Sequence, residues 1–289
     1  MRFFRNAATG QSPPSKVGYV VEPLQTFCSS SLLIAYVHSA PNHLLRRNTI
    51  RDTWGNPRNF PGFRVIFVLG RVDDNRTMDS ILMESEMYGD VLVADFLDTY
   101  KNLTLKAVSA VTWMSNHCSN VKYILKTDDD IFVNLFTLID QLKLYSNIKN
   151  SFLCLVWNRM KVVREKRSKW YISKEEFEKD IFPTYCSGSA YILTSGVVGK
   201  LATAAKDVGF FWVDDFYVTG LLAKRSGVSY VQLNPGYVLS PTTFYEKFTE
   251  VSSRNKLIFG HVQNVNEMKA VWKIIHRDRA RWNNSAAGL

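Results

Sequence analysis

Residues Tyr123 to Asn134 read Y-I-L-K-T-D-D-D-I-F-V-N, an apolar run that delivers three successive carboxylates and is followed at once by a second apolar run. Tyr123 to Thr127 are rich in β-forming types and predict a buried central strand. Asp128, Asp129 and Asp130 then fall at its carboxyl end, the edge at which open α/β sheets bind ligands. Side chains alternate along extended chain, which predicts Asp128 and Asp130 on one side and Asp129 on the other. Three adjacent like charges repel unless a cation or hydrogen-bond donors compensate them. A divalent ion would do so, because carboxylate oxygens suit Mg²⁺ or Mn²⁺ and such ions commonly bridge protein carboxylates to phosphates. The competing reading is an acidic loop or helix cap. A calcium loop is disfavoured, since Ile131, Phe132 and Val133 stand where its pattern needs oxygen ligands and a glycine.

Outward from this stretch, segments of strand and helix character alternate. Leu32 to His38 precedes a helical stretch from Leu44 to Trp54, and Arg64 to Leu69 precedes one from Met78 to Met87. A strand from Val91 to Asp95 and a helix from Leu103 to His117 follow, and the latter carries Leu103, Ala107, Val111 and Met114 as one apolar stripe. Repeated βα alternation predicts a mostly parallel sheet with helices on both faces and right-handed crossovers. Beyond the acids, the sequence predicts a helix from Leu135 to Tyr145, a strand over 151–157 and a strand from Tyr191 to Thr194. Helices from Ser195 to Ala205 and Phe216 to Lys224, a strand from Val228 to Leu233 and a closing helix from Val265 to Arg277 complete the pattern. Residues 1–27, with T-G-Q-S-P-P-S-K and no periodicity, read as a flexible lead, and 28–289 as a single folded domain.

The chain has 289 residues, 46% of them apolar, enough to bury a substantial core. Its formal charge of +10 permits phosphate-bearing, membrane-surface or nucleic-acid partners. The basic residues are scattered. The densest run, Lys161 to Lys169 (K-V-V-R-E-K-R-S-K), reads as a solvated loop or an acceptor-side rim rather than a nucleic-acid patch. Cys28, Cys118, Cys154 and Cys186 show no C-x-x-C spacing, which argues against zinc and leaves three pairings open if they are oxidised. Asn75, Asn102 and Asn283 head glycosylation sequons, meaningful only in a secretory compartment. No run of 18 apolar residues and no signal-like apolar segment is visible.

Four further groups could carry chemistry. Arg47 and Arg51, four apart on one helix face, could meet a diphosphate with their guanidinium forks, or form a surface ion-pair helix with Arg46. Asp214 and Asp215 lie among bulky apolar residues, which can tune a carboxylate towards general-base work or serve a helix cap. Tyr185-Cys186-Ser187-Gly188 reads as a small-residue turn where backbone approaches a ligand. His261, beside Gly260 after a strand-like run, could complete a metal sphere or be structural.

Together these segments resemble the β1,3-galactosyltransferase and β1,3-N-acetylglucosaminyltransferase family, with the fringe enzymes as distant relatives. The resemblance runs from about Leu32 to Trp272. It is carried by S-A-P with R-R-x-x-I-R-x-T-W-G (Arg46 to Gly55), F-V-L-G (Phe67 to Gly70) and D-F-x-D-x-Y-x-N-L-T-L-K (Asp95 to Lys106). K-T-D-D-D-x-F-V-N (Lys126 to Asn134), Y-C-S-G (Tyr185 to Gly188), D-D-x-Y-V-T-G (Asp214 to Gly220) and H-x-x-x-x-x-E-M (His261 to Met268) complete it. It implies a GT-A fold with a Rossmann-like sheet, a UDP-galactose or UDP-N-acetylhexosamine donor and Mn²⁺ or Mg²⁺. It also implies inversion at the sugar's anomeric carbon in a β1,3 transfer to a glycan on a glycoprotein or glycolipid. By position, Asp130 and His261 would hold the metal, Asp128 and Asp129 the donor's ribose and sugar, and Asp215 would be the general base. Membrane-anchored residence in the Golgi is implied too. Ala190 and Phe216 depart from the family pattern, at places that could reshape a sugar pocket. The alternative is a non-catalytic glycan or nucleotide-sugar binding protein of the same fold. Intact Asp130, Asp215 and His261 speak against it, and no basic-aromatic motif points to nucleic acid.

Overall fold

A computed structural model describes residues 18–29 and 31–286, with side chains as far as Arg279. Its main sheet contains β1 (Tyr19–Val21), β2 (Leu33–His38), β3 (Phe63–Arg71), β4 (Val91–Leu97), β5 (Tyr123–Asp128), β7 (Ser151–Trp157), β8 (Tyr185–Thr194) and β9 (Ser229–Gln232), in the order β1-β4-β3-β2-β5-β8-β7-β9. A smaller sheet joins β6 (Ile131–Val133), β10 (Tyr237–Val238) and β11 (Phe259–His261) in the order β10-β11-β6. The helices are α1 (Thr26–Ser29), α2 (Leu44–Asp52), α3 (Asn75–Tyr88), α4 (Leu103–His117), α5 (Leu135–Leu144), α6 (Val197–Ala204), α7 (Asp214–Phe216), α8 (Ala223–Ser226), α9 (Pro241–Thr249), α10 (Val251–Arg254) and α11 (Val265–Ala286).

β5 lies at the centre as the acid-bearing stretch predicts, parallel to β2 on one side and antiparallel to β8 on the other. Strands β4, β3, β2 and β5 run parallel, so their carboxyl ends share one edge. Alternate residues of β2 feed two cores. Ile34 and Tyr36 pack with Trp113 and Met114 of α4, whereas Leu33, Ala35 and Val37 pack with Ile50 of α2 and Leu135 of α5. This double burial explains why all six residues of β2 are buried and why helices cover both faces.

The structure departs from the sequence reading at two places. Residues 18–27 are not lead: β1 pairs with β4 at the sheet edge, while 1–17 lie outside the described residues. The Tyr185–Gly188 segment is not a turn but the first half of β8, with an irregular register between Cys154 and Val156 of β7 marking a bulge. Both pairings of cysteine are now defined. Cys28 bonds Cys118, tying α1 to the end of α4, and Cys154 bonds Cys186, tying β7 to β8. The second bridge closes a segment whose ends are 32 residues apart, within which the basic run 161–169 lies. Substituting both Cys154 and Cys186 by Ser should lower the unfolding free energy by about 3–4 kcal/mol. Urea denaturation checks this, and an unchanged midpoint with unchanged slope would contradict it.

Candidate active site

The acid triplet closes β5 and passes through a two-residue turn into β6, so strand alternation ends at Asp128. The predicted division of the acids therefore fails: Arg46 Nη1 reaches both Asp129 Oδ1 at 2.9 Å and Asp130 Oδ2 at 3.3 Å. Asp129 is buried and also accepts from Ser39 Oγ at 2.7 Å, with His43 Nδ1 at 2.8 Å. A carboxylate so engaged is a positioning group, and the expectation that it holds a donor sugar is not supported by its contacts. Asp128 is the more open neighbour, 39% exposed, with Oδ1 2.7 Å from Lys126 Nζ.

Lys126 is the cation that the sequence reading passed over. It is 1% exposed, and its ammonium donates to Asp128 and to the carbonyl of Gly188. Burial alone would lower its pKa, but Asp128 and Asp214 outweigh burial and keep it charged. A lysine in a run of buried strand residues, two positions before a carboxylate, was the available signal.

Arg47 and Arg51 do not meet this group. Arg47 is 1% exposed, and its guanidinium holds both oxygens of Glu84, the Ser39 hydroxyl and the carbonyls of Ala40 and Pro41. Arg51 forks onto Asp90 and also reaches Glu84. The donor-binding expectation for both is corrected: Arg46, one residue and about 100° round the helix, is the arginine at the acids. Arg47 shares its helical stripe with Ile50 and Trp54, both fully buried, which marks it as core-facing.

His261 is delivered by β11, whose pairing with β6 sets it opposite Ile131. Its Nε2 lies 3.5 Å from Asp130 Oδ2, while the ring also bonds the backbone of Leu239. The hydrogen bond to Asp130 raises the imidazole pKa. Burial pushes the Asp130 carboxyl up, but His261 and Arg46 more than reverse it and hold it below the usual range. Gly260 is required beside this histidine, because a Cβ there would lie 2.5 Å from both the Phe244 and Phe248 rings.

On the other side of β5, Asp214 and Asp215 open α7, which continues through a π-helical turn from Tyr217 to Leu222, a feature frequent at functional sites. Val213 is the N-cap, and neither acid makes the usual capping bond. Asp215 Oδ1 instead accepts from its neighbour's Phe216 N–H at 2.7 Å and also takes the Gly188 N–H. A Cβ on Gly188 would stand 3.1 Å from Asp215 Cβ, so the Y-C-S-G segment supplies a close approach to an acid of this chain. Burial first, and Asp214 second, push the Asp215 carboxyl up to about 7. Thr219 fixes the helix to β8, donating to Asp215 O at 2.6 Å and accepting from Cys186 N at 2.8 Å. His38, buried and in register with Asp128, has its Nδ1 3.9 Å from Asp214 Oδ2; burial and then Lys126 and Lys106 hold it neutral.

The sequon asparagines differ. Asn75 is exposed, Asn102 is partly buried with its amide donating to Leu97 O, and Asn283 lies outside the described side chains. A recess of about 580 Å³ lined by Leu32, Phe60, Tyr123, Leu135 and Phe136 sits at the amino end of β5, away from all the candidate acids.

The Galactosyltransferase family model matches residues 45–234. The chain is 29% identical over 252 residues to beta-1,3-galactosyltransferase 5 of Mus musculus, covering 86% of this chain and 80% of that one. It is 29% identical to human beta-1,3-galactosyltransferase 1, over 93% and 82% of the two chains. It is 32% identical to the murine acetylgalactosaminyl-O-glycosyl-glycoprotein beta-1,3-N-acetylglucosaminyltransferase, over 84% and 65%. Removing the buried Arg47 (Arg47→Ala) should cost about 3–5 kcal/mol of stability by leaving buried Glu84 with Arg51 as its one remaining cation and the Ala40 and Pro41 carbonyls without their donor, whereas Arg46→Ala should cost about 2 kcal/mol or less. Parallel denaturation of the two variants checks the assignment, and equal losses would contradict it.

Proposed function

The chain belongs to the galactosyltransferase family, and on that footing we propose that it transfers galactose or an N-acetylhexosamine from a UDP-sugar to a glycan hydroxyl in β1,3 linkage, inverting the anomeric carbon. It is a hexosyltransferase of GT-A type, and the relatives named for β1,3 transfer support the linkage. The observation that carries the mechanism is Asp215. A carboxylate raised to about 7 by burial and by Asp214 suits proton abstraction at neutral pH. Asp215 takes the proton of the acceptor hydroxyl. The freed oxygen bonds to the anomeric carbon as the bond to the UDP oxygen breaks on the opposite face. The Phe216 and Gly188 N–H groups aim the carboxylate, while the negative charge of Asp214 keeps it basic.

A divalent ion fits the residues on the other side. A carboxylate oxygen of Asp130 and Nε2 of His261, with that ring oriented by a second hydrogen bond, form a donor pair suited to Mn²⁺ or Mg²⁺. Among the described residues no group of three or more His, Cys, Asp or Glu side chains could hold an ion by itself, so the donor diphosphate would share the coordination. Bound there, the ion would stabilise the charge developing on departing UDP. Asp128, half-open and oriented by Lys126, is the acid left free for donor hydroxyls. Two disulfides and the exposed Asn75 sequon support residence in an oxidising secretory compartment, for which we propose the Golgi lumen and a glycoprotein or glycolipid acceptor.

Turnover should rise with pH towards an apparent pKa near 7, because ionised Asp215 accepts the proton, and Asp128, also raised to about 7 by burial, titrates in the same range. In Asp214→Asn the acid limb should move to lower pH, since a charge that raises the Asp215 pKa is gone. Asp215→Asn should lower kcat by about 10²–10⁴. UDP release across pH checks all three. Full activity of Asp215→Asn would sink the mechanism. Chelation by EDTA should abolish release and added Mn²⁺ restore it, so undiminished turnover in EDTA would remove the metal from the proposal.

A further inference from the structure

The cations of the site divide into two kinds. Arg46, Arg47, Arg51, Lys106 and Lys126 each pair with a carboxylate. Lys101 and Lys169 pair with none among the described residues and lie on aromatic rings instead. Lys101 Nζ is 3.2 Å from the Trp212 ring centre, and Lys169 Nζ is 4.6 Å from that of Trp170 and 5.7 Å from that of Tyr100. The rings form one wall: Tyr100 and Trp212 are 6.4 Å apart, and Tyr100 hydrogen-bonds Trp170. Tyr100 is 45% exposed and Trp170 52%, so both rings present surface to solvent. The wall borders the general base, because Trp212 precedes Asp215 by only three residues. The charges of Asp214, Asp215 and Asp128 reach Tyr100, adding to burial in raising its hydroxyl pKa.

We propose that the wall of Tyr100, Lys101, Lys169, Trp170 and Trp212 is an acceptor subsite for an anionic saccharide, one carrying a carboxylate or sulfate ester on or beside the reacting sugar. The subsite rests on the transferase reading above and narrows its acceptor class. Flat aromatic faces receive the apolar face of a sugar ring, as pocket aromatics commonly receive ligand surface. Each ammonium held over a ring is attracted to its π face yet keeps N–H donors for a second partner. Five acids crowd the nearby strand ends, at Asp128, Asp129, Asp130, Asp214 and Asp215, and by themselves would repel an acidic acceptor. Two lysines without acid partners at the acceptor side reverse that sign locally. Lys166 and Arg167, exposed on the same segment, extend the positive field outward, offset in part by Glu165, which accepts from the Arg167 N–H.

The test is calorimetric titration of the whole protein, with UDP and Mn²⁺ present, using three disaccharides identical but for one group: neutral, uronate-bearing and sulfated. At least one acidic disaccharide should bind about tenfold more tightly than the neutral one at low salt, with the advantage shrinking at high salt. The two acidic arms distinguish carboxylate from sulfate. In the double variant K101Q/K169Q the advantage should fall about tenfold, and in Trp170→Ala all three should weaken together. Equal binding of neutral and acidic sugars, an advantage that survives K101Q/K169Q, or no binding of any of the three overturns the subsite. Because the readout is binding, charge-selective binding without UDP release would count against transfer while upholding the subsite.

Discussion

The site depends on one buried charge, the ammonium of Lys126 in the middle of the central strand. A buried ion persists only when anions and hydrogen-bond acceptors surround it. Asp128 meets it from the strand end and the Gly188 carbonyl from β8. The need to bring that carbonyl inward accounts for the irregular pairing of β8 near Gly188, where a regular strand would hold the segment in line. The same approach leaves Gly188 against Asp215, where a Cβ would crowd the carboxylate. One lysine thus ties Asp128 to the strand that Asp215 packs against.

Around this pair, the motifs that look catalytic in sequence are largely architecture. Glu84 of α3 holds Arg47, Arg47 donates to the Ser39 hydroxyl, and that hydroxyl donates to Asp129. Asp129 in turn shares Arg46 with Asp130. Lys106 of α4 bonds the Ser39 carbonyl and Asp98, and Asp98 accepts from the N–H of Gly70. Asn134 caps α5 and binds the carbonyl of Arg254, fixing the chain just after the acids. Each group is satisfied by the next, which is the condition under which a buried polar network rigidifies a site instead of weakening it. Breaking any interior link would strand a charge, so its cost falls on stability as well as on activity.

The fold was legible where hydrophobic periodicity is strong and local. Leu103 to His117 form α4 with the bounds its apolar stripe implies, and β2, β5 and β7 lie where their β-branched runs place them. Short elements with long-range partners were not legible. β1 and β10 have 3 and 2 residues and exist only because a distant strand pairs with each, and no local period marks them. For the site, the acids and His261 stand out by type, but which arginine faces them does not. Arg46 and Arg47 differ only in helical phase, and the phase becomes decisive once Ile50 and Trp54 are seen to define the buried stripe. Lys126 stood out less because one of its two partners, the Gly188 carbonyl, comes from β8, although the other, Asp128, lies two residues on in the same strand.

Sheet order separates the two halves of the chemistry. Leaving β5, the chain enters β6, whose partner β11 brings His261 to Asp130 on one side. The opposite neighbour of β5 is β8, and β8 holds the start of α7 through Thr219 and Gly188, bringing Asp215 to the other side. The proposed inverting displacement needs leaving-group stabilisation and proton abstraction on opposite faces of one carbon. Burial first, then the charge of Asp214, raises the Asp215 carboxyl, whereas His261 and Arg46 outweigh burial at Asp130 and hold it below the usual range.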